Sequence, residues 1–126
     1  MKNILVFILF SLLIIGCGIS MGDRIDTKNL SVYFLDEVPK EKALEFARFW
    51  KSNGFIGTKK QTIQLEKKER QIIVKLIENE EFHSDHLTIT EEALLQDLER
   101  ELSKEVFHVK TKILITDNTF RPILKK

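Results

Sequence analysis

The cluster of side chains best suited to chemistry is His83-Ser84-Asp85-His86. Imidazole and carboxylate groups are ligands for zinc, copper and nickel, and His108 is a third imidazole that could approach them. Two histidines three residues apart in a polar stretch are equally typical of a solvated loop. His83, Asp85 and His86 are therefore weak candidates for a metal or small-ligand site, and we expect no resident cofactor.

Other reactive patterns are missing from the sequence. The acidic run from Glu78 to Asp85 lacks the alternating oxygen ligands and central glycine of a calcium loop. The serines stand in no nucleophile elbow. A single cysteine excludes a disulfide framework, an iron–sulfur cluster and a cysteine-built zinc site. We therefore predict that the protein is not an enzyme.

The one cysteine, Cys17, lies directly after an apolar N-terminal segment. Lys2 precedes an apolar run over residues 4–15, which is shorter than the roughly 20 residues of a spanning helix. The run ends in Leu13-Ile14-Ile15-Gly16-Cys17, which resembles the lipobox of bacterial lipoprotein precursors. That resemblance implies cleavage between Gly16 and Cys17 and acylation of Cys17, palmitate being a typical fatty acid. Ordinary secretory cleavage and a short uncleaved anchor remain open alternatives.

The resemblance also predicts where the protein resides. A lipid-anchored protein of the bacterial cell envelope is expected, with the outer membrane favoured in a two-membrane host because Gly18 replaces the retention aspartate. Loss of residues 1–16 would remove one basic residue, so 20 − 1 = 19 basic residues would face 19 acidic ones. This balance gives no electrostatic reason to bind nucleic acid, and the short lysine runs are interpreted as solvated surface.

The length of 126 residues, 43% of them hydrophobic and 31% charged, predicts one globular domain. The predicted organisation is a signal peptide over residues 1–16, a lipidated cysteine with a flexible tether over 17–29, and a single domain over 30–126. Hydrophobic periodicity within that domain predicts the order β-α-β-β-α-β. The predicted strands are 30–35, 62–66, 72–77 and 109–115, with a polar turn at 67–70.

The two predicted helices are amphipathic. The first begins at Pro39, ends near Asn53-Gly54, and should bury Ala43, Phe46, Ala47 and Trp50. The second should be capped by Thr90, staple Ile89 onto Leu94, and bury Leu94, Leu98, Leu102 and Val106. This plan indicates an α+β ferredoxin-like sandwich, in which two helices cover one face of a four-stranded antiparallel sheet.

The domain resembles a set of small uncharacterised bacterial proteins. The shared elements are Asn53-Gly54-Phe55, the strand from Gln61 to Leu65, and Leu102-Ser103-Lys104-Glu105-Val106-Phe107 before a strand that ends at Asp117. The resemblance spans most of residues 30–124. No function is assigned to that set, so the resemblance implies no site residues.

The sheet face turned away from the helices carries more apolar residues than a solvated face normally does. We call it the open face; it is expected to carry Tyr33, Leu35, Thr62, Gln64, Ile73, Ile77 and Leu114. Tyr33, Leu35, Ile73, Ile77 and Leu114 are the candidate contact residues for a protein partner or a second copy. In the alternative, residues 120–124 fold back and cover this face.

These observations favour a membrane-anchored, non-catalytic binding or assembly module. The alternative is a lipoprotein that binds a small ligand or metal through the loop around His83 and His86.

Overall fold

The computed structural model describes residues 22–77 and 88–123. Within these ranges five strands, two α-helices and one π-helical turn are present. Their bounds are β1 Asp23–Thr27, β2 Leu30–Phe34, α1 Lys40–Ser52, β3 Gln61–Lys68, β4 Gln71–Ile77, α2 Ile89–Leu102, the π-helical turn Ser103–Phe107, and β5 Lys110–Thr116.

The strands form one mixed sheet in the order β1-β2-β3-β4-β5. Neighbours β1–β2 and β3–β4 are antiparallel, whereas β2–β3 and β4–β5 are parallel. The α+β class with two helices is confirmed, but the four-stranded antiparallel ferredoxin-like order is wrong. A split order would separate β2 from β3; instead Val32 lies directly opposite Ile63, and β1 occupies the other side of β2.

Strand β1 lies inside the segment that was predicted to be a flexible tether. It pairs with β2 from Asp23↔Phe34 to Thr27↔Leu30, through a two-residue turn in which Asn29 has a φ of 63°. Asparagine tolerates this left-handed conformation at the second position of the turn. The Nδ2 of Asn29 also donates a hydrogen bond to the Gly57 carbonyl oxygen at 3.0 Å. The prediction of a tether over residues 17–29 is therefore wrong from Gly22 onward.

Helix α1 carries the centre of the hydrophobic core. The predicted inward residues are confirmed as buried: Ala43, Phe46, Ala47 and Trp50. Phe46 stacks on Trp50 with ring centroids 5.1 Å apart and on Phe107 at 6.1 Å. The indole Nε1 of Trp50 donates a hydrogen bond to Gln61 Oε1 at 2.9 Å, so burial leaves its polar atom satisfied.

The N-cap of helix α2 lies two residues before the predicted cap, Thr90. Thr88 is the N-cap, because its Oγ1 accepts a hydrogen bond from the Glu91 backbone N–H at 3.1 Å and donates one to Glu91 Oε1 at 3.0 Å. Thr90 therefore lies inside the helix. Ile89 and Leu94 are exposed, so neither the predicted staple nor the burial of Leu94 is formed.

The inward stripe of α2 differs from the prediction at one position and ends in the π-helical turn. Leu102 and Val106 are buried as predicted, while Leu95 takes the place of Leu94 and packs with Leu98 against the core. The wider turn brings the consecutive residues Val106 and Phe107 into the core together. Lys42 Nζ donates a hydrogen bond at 2.9 Å to the Val106 carbonyl oxygen, which a helix end leaves without an intrahelical donor.

Candidate functional site

The open face of the sheet is built by strand register. One transverse row, aligned across all five strands, consists of Arg24, Tyr33, Gln64, Lys75 and Leu114. Neighbouring rows place Ile73 and Ile77 on the same side. Both helices pack against the opposite side, whose rows include Val32 and Ile63. The register therefore assigns Tyr33, Ile73, Ile77 and Leu114 to the open face, as the sequence predicts; Leu35 follows the end of β2 and is half-buried.

The chain after β5 turns back over the open face. We call residues 117–123 the C-terminal clasp. Phe120 is only 5% exposed and packs edge-on against Tyr33, with ring centroids 6.0 Å apart. Pro122 forms a bridge with Thr116, and the Ile123 N–H donates a hydrogen bond to the Ile115 carbonyl oxygen at 3.1 Å. The clasp therefore pairs with the last two residues of β5 and places one aromatic ring on the face.

A single carboxylate organises the turn of the clasp. Asp117 Oδ1 accepts hydrogen bonds from the Thr119 hydroxyl at 2.7 Å, the Thr119 N–H at 2.8 Å and the Arg121 N–H at 3.0 Å. These bonds favour the ionised carboxylate, so the Thr119 hydroxyl first, and the two backbone donors with it, lower the pKa of Asp117. This turn lets Phe120 adopt its positive φ of 62° and turn inward.

The apolar open face is partly covered by the clasp and is therefore not a freely exposed patch. Ile73 is 6% exposed, and Ile77 and Leu114 are half-buried. The alternative in which the C-terminal segment folds back is thus present in the structure over residues 117–123, while Leu124 lies outside the described residues. Docking of a partner at Ile73 stays a prediction.

The β1 edge of the open face carries a cluster of interacting polar side chains. Arg24 Nε pairs with Asp26 Oδ2 at 3.0 Å, and its guanidinium lies 5.7 Å from the centre of the Tyr33 ring. Arg24 Nη1 also donates a hydrogen bond to the Tyr33 hydroxyl at 3.3 Å, which raises the pKa of Arg24. The Ser31 hydroxyl donates to Asp26 Oδ1 at 2.6 Å and lowers the pKa of Asp26.

The middle of the open face holds an ion pair. Lys75 Nζ lies 2.9 Å from Glu66 Oε2, and both side chains are largely covered. Gln64, in the row between Tyr33 and Lys75, is 5% exposed. Across the described part of the chain, no buried side-chain nitrogen or oxygen lacks a hydrogen-bond partner. On this part of the open face, Arg24 is therefore paired with Asp26 and Lys75 with Glu66.

Most of the remaining predicted site residues lie outside the described residues, and one lies within them. Gly16, Cys17, His83, Asp85 and His86 all lie outside the described residues. His108 is described: it is exposed and ends the π-helical turn with a left-handed φ of 58°. Within residues 22–77 and 88–123, no group of three or more histidine, cysteine or acidic side chains is placed to hold a metal ion. No helix in these two ranges is long and apolar enough to cross a bilayer.

Comparison with known families gives one match. Residues 24–125 match the model of the AF_1994_N family N-terminal domain, which covers well over half of the chain. The chain belongs to this family. The family is uncharacterised, which agrees with the resemblance to a small set of uncharacterised proteins. No curated protein and no solved structure matches the chain.

The matched region begins within β1, a strand that hydrophobic patterning missed. Only one of its five residues, Ile25, is apolar, so the alternation is too weak to distinguish a strand from a polar tether. The available signal was the turn Lys28-Asn29 directly before the apolar run at Leu30.

Proposed function

We propose that the protein is a lipid-anchored lipoprotein of the bacterial cell envelope whose domain acts as a non-catalytic binding or assembly module. The observation that carries this proposal is the segment Leu13-Ile14-Ile15-Gly16-Cys17 after a short apolar run. A single acyl chain binds a bilayer only marginally, so stable anchoring takes two or more. A lipoprotein cysteine supplies them.

The position of the first strand in the sequence supports close attachment to a membrane. Strand β1 begins at Asp23, six residues after Cys17. A fully extended chain advances at most about 3.3–3.6 Å per residue, so the acylated cysteine would lie within about 20 Å of the first strand. The domain would therefore work at the membrane surface.

Within residues 22–77 and 88–123, the placement of the titratable groups whose pKa is shifted is compatible with a non-catalytic role. Arg24, Asp26 and Asp117 lie at the surface, and each shift is explained by a neighbour that also shapes the fold. Active-site groups typically converge in a cleft. We take the open face as the contact surface and the clasp as a segment that moves away when a partner binds.

Fatty-acid labelling tests the anchor. The full-length chain and a Cys17→Ser variant would be expressed in a bacterial host fed with an alkyne-bearing palmitate analogue. We expect label only in the unsubstituted chain and an accumulated precursor in the variant; Ser20→Ala serves as the matched control that keeps the label. An unlabelled chain of mature size would support ordinary secretory cleavage, and an unlabelled chain of precursor size would support an uncleaved anchor. Either result would refute the lipoprotein proposal.

Photo-crosslinking in cells tests the contact surface. A crosslinking residue at Leu114 lies on the open face beside the clasp, and one at Arg48 lies on the exposed side of α1 as the matched control. We expect a discrete adduct from Leu114 alone, and its mass would distinguish a second copy from another protein. Equal adducts from both positions, or none from either, would contradict a role for the open face.

The alternative proposal is binding of a small ligand or metal through His83, Asp85 and His86. It rests on the grouping of two imidazoles and a carboxylate within four residues. Zinc titration of the full chain would be compared with that of a His83→Ala/His86→Ala variant, with Gln96→Ala, an exposed position of α2, as control. Micromolar binding that only the double variant loses would support this alternative, and equal binding by all three chains would exclude it.

A further inference from the structure

Five basic residues from two separate stretches of the sequence converge at one end of the sheet. They lie at the end of β3, in the β3–β4 turn and at the start of β5. Register places Lys68 and Lys110 on either side of Gln71 in one row, and Lys112 follows two residues along β5. Adjacent strands lie about 4.8 Å apart, so Lys68 and Lys110 are separated by about 10 Å. We call Lys67, Lys68, Arg70, Lys110 and Lys112 the basic pole.

The charges of the basic pole are free to act on something outside the domain. All five side chains are exposed, and none of them forms an ion pair within the described ranges. One acidic residue, Glu69, lies among them in the turn. The next acidic residue along β3, Glu66, is already paired with Lys75 at 2.9 Å. On the adjoining π-helical turn, Lys104 and Glu105 offset each other; on α2, the Glu99 carboxylate accepts the Ile113 N–H at 2.8 Å, one residue from Lys112, and forms no ion pair within the described residues.

The basic pole lies at the end of the sheet where the chain enters the domain. Asp23, the first residue of β1, shares a row with Phe34, Leu65, Val74 and Ile113. The basic pole lies beyond this row, on the side from which the chain enters β1. On β3, Lys67 and Lys68 follow Leu65 by two and three residues. On β5, Lys110 precedes Ile113 by three residues. The width from β1 to β5 is about 19 Å at the usual strand spacing. The reach of about 20 Å from Cys17 to β1 is comparable, so an anchor at Cys17 can lie beneath the pole.

The opposite corner of this same end is acidic. Asp23, Asp36 and Glu37 are exposed beside the β1–β2 edge. An anionic surface would attract the basic pole and repel this corner, so it would tilt the domain in one direction. The formal net charge of the chain, +1, does not reveal that basic and acidic residues lie at different corners of this end.

We propose that the basic pole rests on anionic phospholipid headgroups of the membrane that carries the Cys17 anchor, and thereby fixes how the domain stands on that membrane. This inference rests on the proposed lipid anchor. Juxtamembrane lysine and arginine side chains are attracted to anionic headgroups within about one Debye length, close to 10 Å at 0.1 M salt. In this orientation the turn at Asn29 and the loop around Thr58 point away from the bilayer.

The test uses the full lipidated chain reconstituted in vesicles, with flotation as an independent check of anchoring. Single cysteines would be introduced and labelled with a fluorophore: Val109→Cys beside the basic pole, or Thr58→Cys at the far end, both exposed positions. A quencher attached to lipid headgroups reports which label lies near the bilayer. In vesicles with about one third phosphatidylglycerol we expect several-fold stronger quenching at position 109 than at 58. The ratio should approach one in phosphatidylcholine vesicles, or in about 1 M salt, where the Debye length is about 3 Å.

Two variants with the same charge change sharpen the test. Lys68→Gln/Lys110→Gln/Lys112→Gln removes three charges from the basic pole, and Lys28→Gln/Lys59→Gln/Lys60→Gln removes three from the far end. All six lysines are exposed, and circular dichroism would verify that both variants fold. The first variant should abolish the difference in quenching and the second should preserve it.

Two results would overturn the inference. A chain that floats but shows equal quenching at both positions, or loses the difference in both variants alike, refutes the orientation while the anchor stands. A chain that does not float refutes the proposed function and, with it, this inference.

Discussion

The two faces of the sheet are held together by different physics. The face under the helices is an apolar core in which Phe46, Leu30 and Leu65 are fully buried. The open face carries both apolar and charged side chains, includes the ion pair Lys75–Glu66, and is partly covered where Phe120 packs on Tyr33. Burial of apolar area therefore stabilises the first face, while a short terminal segment that is held by hydrogen bonds covers the second. A segment of this kind can detach without unfolding the domain.

Truncation in the core should have the largest effect on stability. Phe46→Ala removes a ring that stacks on Trp50 and Phe107, and we expect a loss of about 3–5 kcal/mol in the free energy of unfolding. That is a large share of the roughly 5–15 kcal/mol typical of a domain. Leu44→Ala, on the exposed side of the same helix, should cost much less. Urea unfolding of both variants measures the difference, and equal losses would contradict the assignment of this core.

Truncation of the clasp should have an intermediate effect. Phe120→Ala removes one buried aromatic from the open face, and we expect a loss of about 1.5–3 kcal/mol. Ile123→Ala, an exposed residue of the clasp, is the matched control and should change little. The Phe120 variant, like deletion of residues 119–126, should also bind an apolar dye at the uncovered face. Absence of dye binding would contradict coverage by the clasp.

Removal of a helix cap should have a smaller effect and tests the start of α2. Thr88→Ala deletes the hydroxyl that accepts from the Glu91 N–H, and we expect a loss of about 1 kcal/mol. Thr90→Ala replaces the threonine that the sequence pattern favoured, and it should cost clearly less because Thr90 caps nothing. Thermal unfolding of the two variants measures both losses. A larger loss for Thr90→Ala than for Thr88→Ala would identify Thr90 as the cap.

Acid should loosen the clasp before it unfolds the core. The pKa of Asp117 is lowered in the folded state from its ordinary value of 3.8, so its ionised form stabilises the clasp above that value. This contribution is lost as the pH falls from 3.8 through the folded pKa. Dye binding should therefore rise with acid before the far-ultraviolet circular dichroism changes. Asp117→Asn should show raised dye binding already at neutral pH, and coincident transitions in the unsubstituted chain would contradict a separable clasp.

Periodicity predicted the parts of the fold that depend on local sequence. The inward residues of α1 and the two sides of β2 to β5 follow from which residues are apolar at spacings of 3.6 and 2. Periodicity could not predict which strands are neighbours, because the same apolar faces are buried whether β2 lies beside β3 or is separated from it. Leu94 and Leu95 are both apolar, so composition could not decide which of them faces the core.

The candidate surfaces were predictable only in part. The apolar excess of the open face was visible in sequence, but its coverage depends on Asp117 turning the chain and on Phe120 meeting Tyr33. The basic pole was hidden for a different reason: Lys68 and Lys110 become neighbours only through the pairing of β3 and β5 with β4. Net charge carries no information about such a separation.

The proposed lipid anchor is tested most directly by the intact mass of the protein extracted from the membrane fraction of cells that express the full chain. Lipid anchoring predicts a chain that begins at Cys17 and carries the mass of a diacylglycerol and a further acyl group. A chain that retains residues 1–16, or one that begins at Cys17 without added lipid, would contradict it. In either case neither the anchor nor the membrane orientation derived from the basic pole would stand.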